Sequence, residues 1–158
     1  MELGLPDEAA TLALGSALSR SLEPGTLMLL HGELGAGKTT LARGLLRGLG
    51  FEGRVRSPTY TLVEAYEFSR LSLYHFDFYR FDRPEEFKDS GLSEVFDTEA
   101  VCIVEWAEKA GDHLPPADLE VFLCPGPDGS RRARLQALSP RGQRCLTAGA
   151  LQVSSGTD

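Results

Sequence analysis

Eight consecutive residues, Gly32-Glu33-Leu34-Gly35-Ala36-Gly37-Lys38-Thr39, match the spacing G-x-x-x-x-G-K-[ST] in full. The chemistry that this pattern supports is the capture of a phosphate chain. Glycines let the backbone curl until several N–H groups point at one anion, so Glu33, Gly35, Ala36 and Gly37 count through their backbone. Lys38 places a cation on the β- and γ-phosphates, and the Thr39 hydroxyl is a ligand for Mg²⁺. A helix that begins here adds the positive end of its dipole. Such a loop works with a second acid, usually at the end of a neighbouring apolar strand. Two positions qualify. Glu105 follows the apolar run Val101-Cys102-Ile103-Val104, with Glu where Asp is more usual, and Asp77 ends an aromatic strand on the face opposite Phe76 and Phe78. Trp106, the single tryptophan, reads as core or edge packing.

The base is addressed by what the chain lacks. Guanine recognition through N-K-x-D needs an asparagine, and the chain has none; it has no D-x-x-G either. ATP is therefore the expected nucleotide. A small-molecule kinase would need an acceptor lid, typically arginine-rich, yet residues 82–99 hold seven acids against Arg83 and Lys88.

Around these residues the hydrophobic pattern predicts an α/β protein with a mostly parallel central sheet, antiparallel additions and flanking helices. Residues 6–22 carry Ala10, Leu14, Ala17 and Leu18 at helical spacing. Residues 26–31 form a nearly continuous apolar run, as expected of a buried parallel strand. A helix follows the glycine-rich stretch over 38–49, with Leu41, Leu45, Leu46 and Leu49 inward. Strands are predicted over 60–68 and 71–78 as a hairpin, with Tyr74, Phe76 and Phe78 on one face and His75 and Asp77 on the other. Pro84-Glu85-Glu86-Phe87 opens a further helix. Residues 100–104 form a second buried strand. Residues 118–123 and 132–138, joined by Pro125-Gly126-Pro127-Asp128-Gly129, form a late antiparallel hairpin.

The 158 residues (17.2 kDa) fit one domain, taken as residues 1–153, with a disordered tail over 154–158. No apolar run approaches the ~20 residues needed to span a bilayer. The acids Glu2, Asp7 and Glu8 and the missing basic region argue against a signal peptide. Three cysteines (Cys102, Cys124, Cys145) without a CxxC pair fit a reducing cytoplasm, and all three read as small buried residues. The net charge of −7 divides into −2 over residues 1–53, −9 over 54–130 and +4 over 131–158. An acidic middle disfavours a broad nucleic-acid face. The basic end (Arg131, Arg132, Arg134, Arg141, Arg144) is the one candidate patch, read first as solvated surface.

Taken together, the blocks HGELGAGKTTLARG (31–44), SPTYTLVEAY (57–66), HFDFYR (75–80) and VEW (104–106) resemble the TsaE (YjeE) family, the small bacterial ATPases of tRNA threonylcarbamoyladenosine synthesis. The similarity runs from about Leu5 to Leu138. It implies a P-loop NTPase fold binding ATP and Mg²⁺, with Lys38, Thr39 and Thr40 serving phosphates and metal and Glu105 completing the Mg²⁺ site. It implies that Asp77 is an essential acid near the γ-phosphate and that Thr59 lies in a segment similar to a GTPase switch I. By the same resemblance Thr11 lies near the adenine, and Arg131 or Arg134 closes over the nucleotide. Glu33 stands where Asp is common and Phe78 where Leu is common; neither touches the metal chemistry. The implied partners are TsaD and TsaB, with tRNA contacted only indirectly and no membrane, and the implied activity is slow ATP hydrolysis that resets the TsaD–TsaB complex. Two other classes stand beside it: a small-molecule P-loop kinase, and a nucleotide-dependent binding module without significant hydrolysis.

Overall fold

β2 (Leu27–His31) is the strand around which the sheet assembles, because both of its edges are paired in parallel. The computed structural model describes residues 1–155, with side chains through residue 148. On one side of β2 lie β5 (Val101–Glu105), β4 (Ser72–Asp77) and β3 (Val63–Glu67); on the other lie β6 (Leu119–Pro125), β7 (Arg131–Ala137) and β1 (Glu2–Leu5). The order is β1-β7-β6-β2-β5-β4-β3, with β6, β2, β5 and β4 parallel and the outer strands antiparallel. The expected architecture is the one observed.

Two apolar layers sandwich this sheet. Leu14, Leu18 and Leu22 in and after α1 (Glu8–Ser19) and Leu41, Leu45 and Leu46 on α2 (Lys38–Gly48) pack on Met28, Leu30, Leu73, Val101 and Ile103. On the other face Leu27, Phe76, Phe78, Cys102 and Val104 meet Phe81, Phe87 of the short helix α3 (Glu85–Asp89) and Ala107 and Ala110. Because strand side chains alternate, residues 73, 75 and 77 of β4 and 101, 103 and 105 of β5 point to the α1–α2 face. Phe76 and Phe78 meet at a tilt of 51° within the aromatic layer, with ring centroids 5.7 Å apart.

Several elements differ from expectation. The first hairpin strand begins at Val63 rather than residue 60: residues 58–62 are a turn, closed by a bond from the Leu62 N–H to the Pro58 carbonyl. β1 was not anticipated. It adds to the edge of β7, where the Met1 amino group donates to the Leu135 carbonyl. Nor was α4 (Pro140–Ser155), which packs Cys145 and Leu146 against the α1 side of the core. The tail expected from residue 154 falls outside the described residues beyond Ser155. Cys102 and Cys145 are buried as expected, but Cys124 is exposed, because it alternates onto a face of β6 that no helix covers. The basic end is not one patch. Arg141 donates to the Gly25 carbonyl, Arg144 pairs with Glu23, and Arg134 lies over the Phe122 ring.

Glycine is required where α1 and α2 meet. A Cβ on Gly44 would lie 2.3 Å from the Leu12 carbonyl oxygen, and one on Gly15 would lie 2.4 Å from that of Leu41. Both obstacles are backbone, so neither can rotate away, and the contact sets how close α2 lies to the rest of the core. Gly44→Ala is expected to cost about 1–3 kcal/mol in urea unfolding. Gly4→Ala, where nothing lies within 4 Å, is expected to change stability by less than ~0.5 kcal/mol.

Candidate functional site

The glycine-rich loop leaves the end of β2 and turns directly into α2. Gly35 and Gly37 adopt positive φ (80° and 105°), and Gly37 is the N-cap. No side chain caps that helix, so its first N–H groups are left for a ligand. Gly32 passes so close to β6 that a Cβ there would lie 2.7 Å from the Leu123 carbonyl oxygen. Arg131 holds the loop from β7: its Nε donates to the Ala36 carbonyl (2.9 Å) and an Nη to that of Gly35 (3.3 Å). Glu33 is exposed and contributes its carbonyl, which accepts from the Ala36 N–H.

Beside this loop is a cleft of about 210 Å³ lined by Gly35, Gly37, Lys38, Thr39, Thr40, Thr59, Asp77, Glu105, Trp106 and Arg131. Nearly every residue expected to act together is thus brought together. Thr11 lies in an adjoining depression shared with Gly37, Thr40 and Arg131. Arg134 does not reach either opening; of the two arginines considered, only Arg131 meets the loop.

Parallel pairing puts Asp77 and Glu105 side by side at the ends of β4 and β5. Both are nearly inaccessible, at 4% and 2% exposure. Asp77 Oδ1 accepts from the Tyr79 N–H (2.9 Å) and Oδ2 from the Thr59 hydroxyl (3.0 Å), which also lies 2.8 Å from that of Ser57. Burial raises the Asp77 carboxyl above its ordinary range, the Tyr79 N–H opposes this, and the charge of Glu105 adds to it. Lys38 donates to the Gly32 carbonyl and is 5% exposed. Burial lowers its ammonium below the ordinary value, while Glu105 and Asp77 pull it back.

Trp106 was read as packing; the structure places it on the cleft instead. Its left-handed backbone (φ 59°, ψ 41°) bends the chain immediately after Glu105, and Lys38 Nζ lies 3.8 Å from the centre of its indole. Leu62 is a second left-handed residue (φ 68°), and its carbonyl accepts from the Asp77 N–H. Such backbone costs about 1–2 kcal/mol per residue. A third instance, Asp128 (φ 57°), lies in the turn between β6 and β7, whereas these two lie beside the buried carboxylates. Nothing in residue type or spacing announces them.

Uncapped helix N–H groups, a buried lysine and two carboxylates thus meet at the carboxyl ends of parallel strands, the crevice where α/β sheets of this class bind ligands. The comparisons narrow this further. Residues 5–133 match the sequence model of the family described as threonylcarbamoyl adenosine biosynthesis protein TsaE, and the chain belongs to that family. It is 41% identical over 149 residues to the tRNA threonylcarbamoyladenosine biosynthesis protein TsaE of Haemophilus influenzae, covering 91% of this chain and 94% of that one. With the protein of the same name from Bacillus subtilis it shares 38% identity over 136 residues, 86% of this chain and 84% of the other. A crystal structure of Bacillus subtilis YdiB superposes with a TM-score of 0.79 at 28% identity, covering all of this chain and 96% of that one.

The raised Asp77 carboxyl has a consequence for stability. The native state binds that proton at higher pH than the unfolded chain does. Its ionisation therefore lowers stability as pH rises through the window from the ordinary carboxylate value to the raised native one. Asp77→Asn keeps an acceptor for the Tyr79 N–H and removes the buried charge. In metal- and nucleotide-free buffer it is expected to melt higher than wild type at pH 7, with the difference shrinking towards pH 4. Thermal denaturation at both pH values checks this.

Proposed function

We propose that this protein is a Mg²⁺-dependent ATPase that serves threonylcarbamoyladenosine modification of tRNA, hydrolysing ATP to ADP and phosphate on behalf of a TsaD–TsaB transferase complex. The observation that carries the reading is the convergence of Lys38, Thr39, Asp77 and Glu105 on one cleft at the uncapped start of α2. The loop N–H groups and Lys38 bind the phosphates, and Thr40 continues that contact. Thr11 and Arg131 border the side of the loop where the nucleoside extends.

The donor set facing the cleft suits a hard cation: a hydroxyl at Thr39 and a carboxylate at Glu105, all oxygen. Thr39 and Glu105 would hold Mg²⁺, whose chemistry there is to neutralise charge on the β- and γ-phosphate oxygens. Asp77 orients the attacking water and accepts its proton, a role that its raised carboxyl supports. Thr59, bonded to Asp77, sits where loss of the γ-phosphate is felt first.

Turnover by the isolated chain is slow in this reading. Among the described residues Arg131 is the one arginine lining the cleft, and its guanidinium is spent on the carbonyls of Gly35, Ala36, Gly129 and Ser130. Phosphoryl transfer gains much of its rate from a free arginine, so a partner has to complete the site or read it. The acidic stretch over residues 54–130 favours a protein partner over direct tRNA binding. Among the described residues no helix is long and apolar enough to cross a membrane, and the odd, unpaired cysteines support a cytoplasmic setting.

Lys38→Ala is expected to abolish ATP binding followed by Trp106 fluorescence. Glu105→Ala is expected to bind ATP but lose about 10²–10³-fold in turnover. Depletion of the protein should remove threonylcarbamoyladenosine from tRNA nucleosides measured by mass spectrometry; its persistence at the normal level would refute the reading. Stoichiometric phosphorylation of an acceptor would point to a kinase instead.

A further inference from the structure

We infer that His75 is a positioning residue for the proposed metal carboxylate, fixing which oxygen of Glu105 is offered to the cleft; this rests on the assignment of Glu105 to the Mg²⁺ site. His75 lies on β4 two residues before Asp77, on the same face, and its ring is completely buried. Its Nε2 is 2.6 Å from Glu105 Oε2. With Glu105 serving as the metal carboxylate of the proposed site, the pair works with Nε2 donating and Oε2 accepting. Among the described residues Glu105 Oε1 accepts no hydrogen bond, while the residue lines the cleft. One oxygen is tied back into the protein and the other is presented.

The other ring nitrogen shows that the pair is not simply filling space. Among the described residues, buried His75 Nδ1 has no hydrogen-bond partner. An apolar side chain of similar volume would pack there without leaving a lone pair unsatisfied. Among the described residues the hydrogen bond that this imidazole makes is the one to Glu105. Metal-binding carboxylates are commonly held in this way by an outer partner, and loss of that partner typically weakens metal binding about 10–100-fold.

The test measures Mg²⁺ dependence of nucleotide binding, read from Trp106 fluorescence with ADP, for His75→Leu, His75→Gln and Glu105→Ala. In His75→Leu the Mg²⁺ concentration at half-effect is expected to rise about 10–100-fold, with ADP affinity in EDTA unchanged. His75→Gln, whose amide can donate from nearly the same place, is expected to restore most of the loss. A wild-type Mg²⁺ response in His75→Leu, with Glu105→Ala shifted, overturns the inference and leaves the metal assignment standing. An unshifted Glu105→Ala overturns both. Should His75→Leu fail to fold, ¹⁵N signals of the wild-type imidazole decide. An Nε2-protonated ring that responds when Mg²⁺ is added to the ADP complex supports the role, and one indifferent to Mg²⁺ refutes it.

Discussion

The parallel pairing of β4 with β5 is the constraint on which the site depends. Its register sets Asp77 opposite Glu105 and Phe76 opposite Val104, so the same hydrogen bonds that align the carboxylates align the aromatic layer behind them. Side chains alternate with a period of two. A slip of one residue on β4 would turn Asp77 and His75 into the layer formed by Phe76, Phe78, Phe81 and Phe87. It would also bring Phe76 to the foot of α2. The burial of those rings is thus what aims the carboxylates. A polar site is held in place by an apolar demand on the opposite face of the sheet.

The consequence is an electrostatic arrangement that is unfavourable group by group and coherent as a set. Asp77 and Glu105 are adjacent, buried and of like charge; burial pushes the Asp77 carboxyl up, and the charge of Glu105 adds to it. Lys38 is disfavoured as a cation for the same reason, and the charges of Glu105 and Asp77 offset only part of this. Each charge becomes easier to hold when the opposite charges are near. A region of this kind responds strongly to an added cation or polyanion, because the effective dielectric is low and few groups need to move.

Much of this was legible in the sequence where local pattern and global structure agree. The apolar run before Gly32 and the helix after Lys38 emerge as β2 and α2 within a residue or two. The abrupt end of the run at Glu105 is the end of β5. Alternation in 71–78 correctly separated Phe76 from Asp77. What escaped was decided by tertiary contacts. β1 is four residues long and finds its place only as an edge partner for β7. Residues 60–62 have the composition of a strand, but Thr59 bonds to Asp77 and Leu62 turns left-handed, leaving Tyr60 79% exposed. Trp106 could not be placed because its backbone conformation, not its residue type, puts the indole on the cleft. His75 was visible as a neighbour of Asp77 on one face, yet its bond to Glu105 crosses between strands whose pairing the sequence does not state.

The glycine-rich loop and the 57–62 segment differ in how they are held, and that difference bears on which of them can respond to a ligand. The loop is fixed from three separate parts of the chain. β6 closes on Gly32 through the Leu123 carbonyl, β7 reaches Gly35 and Ala36 through Arg131, and α1 fixes α2 at Gly15 and Gly44. A phosphate chain entering it meets N–H groups already in position, so little ordering is required of the loop. The 57–62 segment is joined to the same site by the Thr59 hydroxyl and the Leu62 backbone, and both contacts end on Asp77. Any ligand that draws on the Asp77 carboxylate competes with Thr59 for it. One side of the cleft is thus braced from three elements, whereas the bonds that tie the 57–62 segment to the cleft converge on Asp77.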